Sequence, residues 1–285
     1  MKVWIDGKVM DASEAKIGVL DHGFLYGDGV FEGIRVYDGT VFRLKDHLDR
    51  LWRSAKALLI DIPLTPSAMT EALLETVAAH GAKNAYVRLV VSRGIGDLGL
   101  NPASCPKAAV IVIVGDISIY PPANYETGIP LVTAASRRLG FGGFDPGIKS
   151  LNYVNNILAK MEARQAGCQE ALLLNEAGFI AECTADNFFF AKNGVLMTPS
   201  ADCGLLAGIT RQTVLELAER RRVPVREGRF TRLDAWTADE CFMTGTGAEI
   251  MPITSIDGRV MASCPGPLTR QLLEDFRAFA AGWKE

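Results

Sequence analysis

A few side chains in this sequence stand where solvation alone does not explain them. Lys149 lies in Pro146-Gly147-Ile148-Lys149-Ser150-Leu151-Asn152-Tyr153, between an apolar residue and a small one. A lysine drawn into a cleft loses hydration, which favours the neutral amine, a nucleophile able to form a Schiff base with a carbonyl. The alternative is a solvated surface charge, the usual fate of lysine. Glu182, in Ile180-Ala181-Glu182-Cys183, has an equally apolar setting, and a carboxylate held there needs a partner. Two glycine- and threonine-rich turns could present backbone amides to a phosphate: Leu206-Ala207-Gly208-Ile209-Thr210-Arg211 at a helix start and Thr244-Gly245-Thr246-Gly247-Ala248-Glu249 after a strand. Taken alone, the first is equally a capped helix start.

Other chemistries are excluded. Gly94-Ile95-Gly96-Asp97-Leu98-Gly99 matches the dinucleotide fingerprint, but Leu100-Asn101-Pro102 continues as loop and gives a pyrophosphate no helix N-terminus. There is no serine-hydrolase elbow and no Walker loop. Six scattered cysteines without a Cys-x-x-Cys pair read as reduced thiols, and three dispersed histidines leave little for a zinc site, so no metal is expected. His22 and His47 have no partner that the sequence names.

The elements that must position these residues alternate between sheet and helix. Val3–Ile5 and Val9–Met10 read as strands joined at Asp6-Gly7, and Val30–Tyr37 turns at Asp38-Gly39 into Val41-Phe42. A period of two puts Phe31, Gly33, Arg35 and Tyr37 on one face of the longer strand: an aromatic, a gap and a charge. Leu48, Leu51, Trp52, Ala55, Leu58 and Leu59 then form a helical stripe, with Asp46 as its N-cap and Arg50 on the polar side. Thr65-Pro66 opens a second helix that Gly81 stops. Strands follow at Asn84–Arg93, with Tyr86, Arg88 and Val90 on one face, and at Ala108–Val114, continuous enough to be buried on both sides. Further on come a strand at Ile129–Ala135, a helix from about Tyr153 to Ala166, strands at Glu170–Leu174, Phe179–Ala181 and Asn187–Ala191, and a strand at Glu240–Thr244 between helices at Thr210–Arg221 and Leu268–Phe279.

The chain's 285 residues, 48% hydrophobic and 22% charged, suit a globular protein of two α+β domains. Pro121-Pro122 marks the boundary, giving an N-terminal domain at 1–118, a linker at 119–128 and a C-terminal domain at 129–285, with a small-molecule cleft expected where two domains meet. A net charge of −3 argues against a nucleic-acid or anionic-membrane surface. The longest apolar run, Ala108–Val114, is too short for a bilayer span, and the N-terminus lacks a signal peptide's apolar core, so a cytoplasmic protein is expected. The basic run Arg220-Arg221-Arg222 with Arg226 and Arg229 reads as a solvated helix end.

Five co-linear segments carry a resemblance: residues Asp21 to Arg35, Ile148 to Tyr153, Ala181-Glu182, Gly208 to Arg211 and Gly245 to Ile250. In order and spacing they resemble the class IV, fold-type IV pyridoxal-phosphate aminotransferases. Phe31-Glu32-Gly33-Ile34-Arg35 and Tyr86-Val87-Arg88 look most like the branched-chain amino acid aminotransferases. The resemblance implies a two-domain fold, with a smaller N-terminal α/β domain and a larger C-terminal pseudo-barrel domain. It also implies transamination of leucine, isoleucine or valine with 2-oxoglutarate by ping-pong half-reactions, in a homodimer or higher homo-oligomer.

By that resemblance Lys149 holds pyridoxal 5'-phosphate as an internal aldimine and then shuttles a proton between Cα and C4′. Glu182 pairs with the ring nitrogen and Tyr153 bonds the phenolic oxygen. Arg50, Ile209, Thr210 and Thr246 hold the phosphate, with Leu206 and Gly245 completing the cofactor site. Phe31, Gly33, Arg35, Tyr86 and Arg88 line the substrate pocket. Arg88, with Tyr26 of a neighbouring subunit, would accept glutamate's distal carboxylate. Amides near Thr246 and Gly247 would take the α-carboxylate, and Leu98 and Leu100 would close a neighbour's pocket.

Two departures bear on substrate. Cys183 stands where a glycine is usual and resembles the aminodeoxychorismate lyases, and Gly247 replaces a more usual alanine. The alternatives within the fold are therefore a D-amino acid transaminase and that lyase. A binding protein without turnover would be marked by loss of the lysine or the glutamate, and both are present.

Overall fold

The computed structural model describes residues 1–117 and 119–284; Ser118 and Glu285, where two of the expected domain bounds fall, lie outside the described residues. The chain divides into two compact units. Unit 1 comprises Met1–Ile117, Ile148–Asn152 and Ala281–Glu285, and unit 2 comprises Ser118–Gly147 and Tyr153–Ala280. The sequence puts Lys149 beyond the linker, whereas its segment is part of unit 1.

Unit 1 is built from β1 (Lys2–Ile5), β2 (Lys8–Asp11), α1 (His22–Tyr26), β3 (Gly29–Tyr37), β4 (Thr40–Val41), α2 (Leu44–Ala57), α3 (Pro66–His80), β5 (Ala85–Ser92) and β6 (Ala109–Gly115). Among the described residues its strands form one sheet in the order β2-β1-β6-β5-β3-β4, with antiparallel neighbours throughout. The two hairpin turns have positive φ at both central residues, Asp6-Gly7 and Asp38-Gly39, as a type I′ turn requires. Thr65 caps α3 through its side chain, and Gly81 ends it in the left-handed conformation. Leu48, Leu51 and Ala55 of α2 join Met69 and Leu73 of α3 and Ile34, Val87, Leu89 and Val112 of the sheet in a single core. Each such fully buried aliphatic contributes roughly 1.5–3 kcal/mol relative to exposure.

Two local readings are corrected. Asp46 does not cap α2. The helix begins at Leu44 after Arg43 in the left-handed region, and Asp46 sits in the first turn paired with Arg43 at 3.0 Å, where its charge suits the helix dipole. Nor is β6 buried on both sides. Val110, Val112 and Val114 are buried while Ala109, Ile111 and Ile113 are half-exposed, the alternation of a sheet with one covered face.

Unit 2 runs α4 (Asn124–Thr127), β7 (Ile129–Thr133), α5 (Val154–Gln165), β8 (Glu170–Leu174), β9 (Ile180–Cys183), β10 (Asn187–Lys192), β11 (Val195–Pro199), α6 (Ile209–Arg220), β12 (Val225–Gly228), α7 (Arg232–Trp236), β13 (Glu240–Gly245), β14 (Glu249–Ile256), β15 (Arg259–Val260) and α8 (Pro267–Ala281). A helical turn, α4, thus occupies the end of the expected linker. The strands hydrogen-bond in the order β12-β11-β10-β13-β14-β7-β8-β9, with β15 paired to β14. β7-α5-β8 and β11-α6-β12 join parallel strands through a helix. β9, at one end of the order, also lies against β10 and β11, so the sheet curls into a pseudo-barrel. Phe188, Phe189 and Phe190 are all buried, and Phe189 stacks on Phe242 at 5.0 Å between centroids, so β10 is covered on both faces. The sequence reading leaves out β12, β14 and α7, whose residues mix polar and apolar without a clean period.

Candidate active site

Lys149 is fixed through its backbone on two sides. Phe31 N–H donates to Lys149 O (3.0 Å) and Leu151 N–H to Gly29 O (2.9 Å), so the segment adds itself to β3 beside an antiparallel bridge between Val30 and Ser150. From α2, Ser54 Oγ accepts the Lys149 N–H at 3.1 Å. With the main chain pinned, the half-buried side chain places Nζ 4.4 Å from the centroid of Phe31. The guanidinium of Arg88 stands 4.5 Å from the same ring. Each group gains from the quadrupole of the Phe31 ring.

Gly33 lies opposite Arg88 in the β3–β5 register, and Arg35 opposite Tyr86. A Cβ at Gly33 would land on Tyr86 Oη, so the glycine admits the tyrosine across the strand. Arg88 donates to that hydroxyl at 3.2 Å, and the Arg35 guanidinium covers Tyr37 at 5.1 Å. Unit 1 therefore brings Phe31, Gly33, Arg35, Tyr86, Arg88 and Lys149 to one face. The Tyr26 hydroxyl donates to Leu98 O, while Leu98 and Leu100 are 72% and 78% exposed.

The other face of β3 holds Glu32, which is fully buried. Arg50 donates to it twice, from Nε and Nη2 at 2.7 Å each, and His47 Nδ1 lies 2.7 Å from Oε2. Burial by itself would raise the Glu32 carboxyl, but attraction and hydrogen bonding from Arg50, then His47, outweigh it and hold the group well below the carboxylate range. Burial pushes His47 down against the pull of Glu32, and the charges of Arg50 and Lys149 push it further. A neutral His47 then carries its proton on Nδ1, the tautomer that donates to Glu32. Arg50 is accordingly not on a polar side of its helix. It is 4% exposed and faces the sheet, because the Glu32 charge on the apolar strand face draws it inward.

In unit 2, Glu182 is 5% exposed. Its Oε1 lies 2.8 Å from Arg138 Nη2, and its Oε2 accepts from Leu206 N (3.0 Å) and Asn187 Nδ2 (3.2 Å). Tyr153, half-buried, precedes the first turn of α5. Ile209 and Thr210 open α6 after an extended Gly208 without a side-chain cap, which leaves the first amides of a twelve-residue helix to another acceptor. A Cβ at Gly208 would land on Asn187 Oδ1, and one at Gly245 on Asp186 Oδ1, so each glycine-threonine turn is seated on a buried polar side chain. The Thr244 hydroxyl beside the second turn is buried without a hydrogen-bond partner. Thr246 and Gly247 are half-exposed in the turn between β13 and β14. Among the described residues no group of three His, Cys, Asp or Glu could hold a metal, and no helix is long and apolar enough to cross a membrane.

Glu32, His47, Ser54, Arg138 and Asn187 escaped the sequence reading. One signal was present for Glu32, a charge alternating with Val30, Ile34 and Val36. Arg138, in Arg137-Arg138, looks like any surface pair.

The family profile described as amino-transferase class IV matches residues 29–256. A Methanocaldococcus jannaschii protein assigned to the branched-chain amino acid aminotransferases is 49% identical over 284 residues, 99% of this chain and 98% of that one. The crystal structure of a branched-chain aminotransferase from Thermoproteus uzoniensis with norvaline superposes with a TM-score of 0.93 at 39% identity, covering 100% of this chain and 96% of the other. The branched-chain amino acid aminotransferase from Thermobaculum terrenum, in its PLP-bound holo form, does so with a TM-score of 0.90 at 31% identity, covering 99% and 94%. A family profile over most of the chain, a relative 49% identical along nearly its whole length and a fold matching over the full length place this chain in the class IV, fold-type IV aminotransferases.

Proposed function

We propose that the protein is a pyridoxal-phosphate transaminase exchanging the amino group of L-leucine, L-isoleucine or L-valine with 2-oxoglutarate, in two half-reactions at one site. The observation that carries the reading is the Phe31, Gly33, Tyr86 and Arg88 face beside Lys149 Nζ. It offers an apolar wall for an aliphatic side chain and a guanidinium for a second carboxylate, against a nucleophilic amine. The residues fit the cofactor: Lys149 for its aldehyde, Glu182 for its ring nitrogen, Tyr153 for its phenolic oxygen, and Arg50, Ile209, Thr210 and Thr246 for its phosphate, with Leu206 and Gly245 beside them. The uncapped α6 N-terminus and the unpartnered Thr244 hydroxyl are what an anion site requires. Bound there, pyridoxal phosphate supplies the electron sink that transamination needs.

The protein's own part is binding, orientation and proton movement. Arg88 receives the distal carboxylate of glutamate, and amides near Thr246 and Gly247 take the α-carboxylate. Lys149 Nζ takes the proton from the substrate Cα. Cys183 is fully buried in the unit 2 core, and burial pushes its thiol well above the usual range. The departure that favours a lyase is therefore a packing residue. Exposed Leu98 and Leu100 lie on the loop that the resemblance gives to a neighbour's pocket, and on that basis we read the protein as a homodimer or higher homo-oligomer; its scattered, unpaired cysteines support a cytoplasmic location.

A panel of L- and D-amino acids against 2-oxoglutarate tests the reading. L-Leucine, L-isoleucine and L-valine should be preferred, and a preference for D-alanine or release of pyruvate without an acceptor would overturn it. Gly33→Ala is expected to lower kcat/KM for leucine roughly 10- to 200-fold, the effect of one misplaced methyl group, with cofactor absorbance unchanged. Steady-state kinetics on leucine and alanine check this.

A further inference from the structure

Arg138 has no role in the account above, yet it is 8% exposed and fully engaged. Nη2 meets Glu182 Oε1 at 2.8 Å, Nε donates to Gly204 O and Nη1 to Asn156 Oδ1, both at 3.2 Å. Asn156 is held in turn by donating to Thr184 O at 2.6 Å. On the opposite side of the carboxylate, Asn187 Nδ2 spans Glu182 Oε2 and Leu206 O, the latter at 2.8 Å, while the Leu206 amide returns to Oε2. Both oxygens of Glu182 are thus tied, one by a cation and one by neutral donors, to the segment after β7, to β10 and to the turn ahead of α6. An ion pair kept only for stability would be poorly chosen, since burying two charges costs about as much as their attraction returns. A clamp of this kind fits a carboxylate whose charge and plane are used.

We infer that Arg138 is a positioning residue for transamination: it holds Glu182 anionic and oriented, so that the proton shared with the cofactor's ring nitrogen resides on the nitrogen. The inference rests on the reading of Glu182 as that nitrogen's partner. A guanidinium in contact with Oε1 is nearer the carboxylate than it is to a base lying beyond it. It therefore stabilises the carboxylate anion more than it opposes the pyridinium cation. A protonated ring nitrogen is the better electron sink, so the arginine acts on rate without touching substrate.

The test uses holoenzyme reconstituted with ring-15N-labelled pyridoxal phosphate. In R138Q the nitrogen resonance should move toward the unprotonated position and kcat should fall roughly 10- to 100-fold, with KM for leucine changed much less. R138K, which keeps the charge, should leave the nitrogen protonated and recover most of kcat. In an E182Q background, R138Q should add less than about a twofold further loss, because the arginine acts through the glutamate. Additive losses, or an unmoved resonance in R138Q while E182Q moves it, would overturn the inference alone. An unmoved resonance in E182Q would overturn the reading of Glu182 and the inference with it. Should R138Q not fold, a deprotonated nitrogen in R138K decides against the proposal and a protonated one with near-normal kcat supports it.

Discussion

Lys149→Ala is expected to remove transaminase activity and, with it, the visible absorbance of covalently held cofactor. The magnitude follows from two losses that fall together. General acid–base transfer by a positioned side chain is worth about 10²- to 10⁴-fold, and the covalent anchor is lost besides. The fold should be untouched, because the contacts that hold the segment are made by backbone. Lys149 O accepts from Phe31, Lys149 N donates to Ser54 and Leu151 N donates to Gly29 O, and alanine keeps all three. Pre-steady-state mixing with glutamate and a thermal melt separate the two properties. Retention of the absorbance and of turnover would remove the lysine from the mechanism. Loss of both with an unchanged melt is the expected result.

The largest effect on stability is expected at Glu32. In Glu32→Gln the shape is kept and the charge is lost, leaving the Arg50 guanidinium buried at 4% exposure against a neutral amide. Breaking a buried pair from one side costs roughly 3–5 kcal/mol, readable as a fall in the denaturant midpoint at constant slope. The pH dependence has a definite sign. Glu32 is depressed in the folded state, so its contribution is complete above the ordinary value of 4.5 and is lost as the pH falls below it. His47 is also depressed, so its part is present above its ordinary 6.5 and weakens below that. Both groups bind protons more readily in the unfolded chain, so stability should decline on acidification from about pH 6.5 downward. Glu32→Gln should show a shallower decline below pH 4.5 than the parent protein.

How far these features could be read from sequence depends on whether a signal was local. The hairpins at Asp6-Gly7 and Asp38-Gly39 were legible because their turns demand positive φ at adjacent residues, which leaves few alternatives. The face holding Phe31, Gly33, Arg35 and Tyr37 was legible because a strand has a strict period of two. Its register with Tyr86 and Arg88, which turns Gly33 from a gap into a seat for a tyrosine ring, is a long-range fact that no window of residues contains. For Arg50 the residue type points to water, where arginine usually lies. Its inward turn depends on Glu32, eighteen residues earlier on a strand. Arg138 and Asn187 were hidden for the same reason, since their significance comes from sharing one carboxylate with Leu206. The start of α2 was misplaced by a cap preference that an arginine in the left-handed region overrode.

The three-part composition of unit 1 bears on how this protein can be divided or inherited. Residues 1–117 carry the sheet, but the Lys149 amine that meets Phe31 arrives from Ile148–Asn152, after the chain has already entered unit 2. No single cut separates the two units, and a gene fragment ending at residue 117 would encode the Phe31 and Arg88 face without Lys149. Exchange of unit 1 for a homologous one would have to transplant two further five-residue segments, 148–152 and 281–285, along with residues 1–117. Such an arrangement ties the inheritance of unit 1 to that of unit 2, because a single crossover cannot bring along every segment of either one.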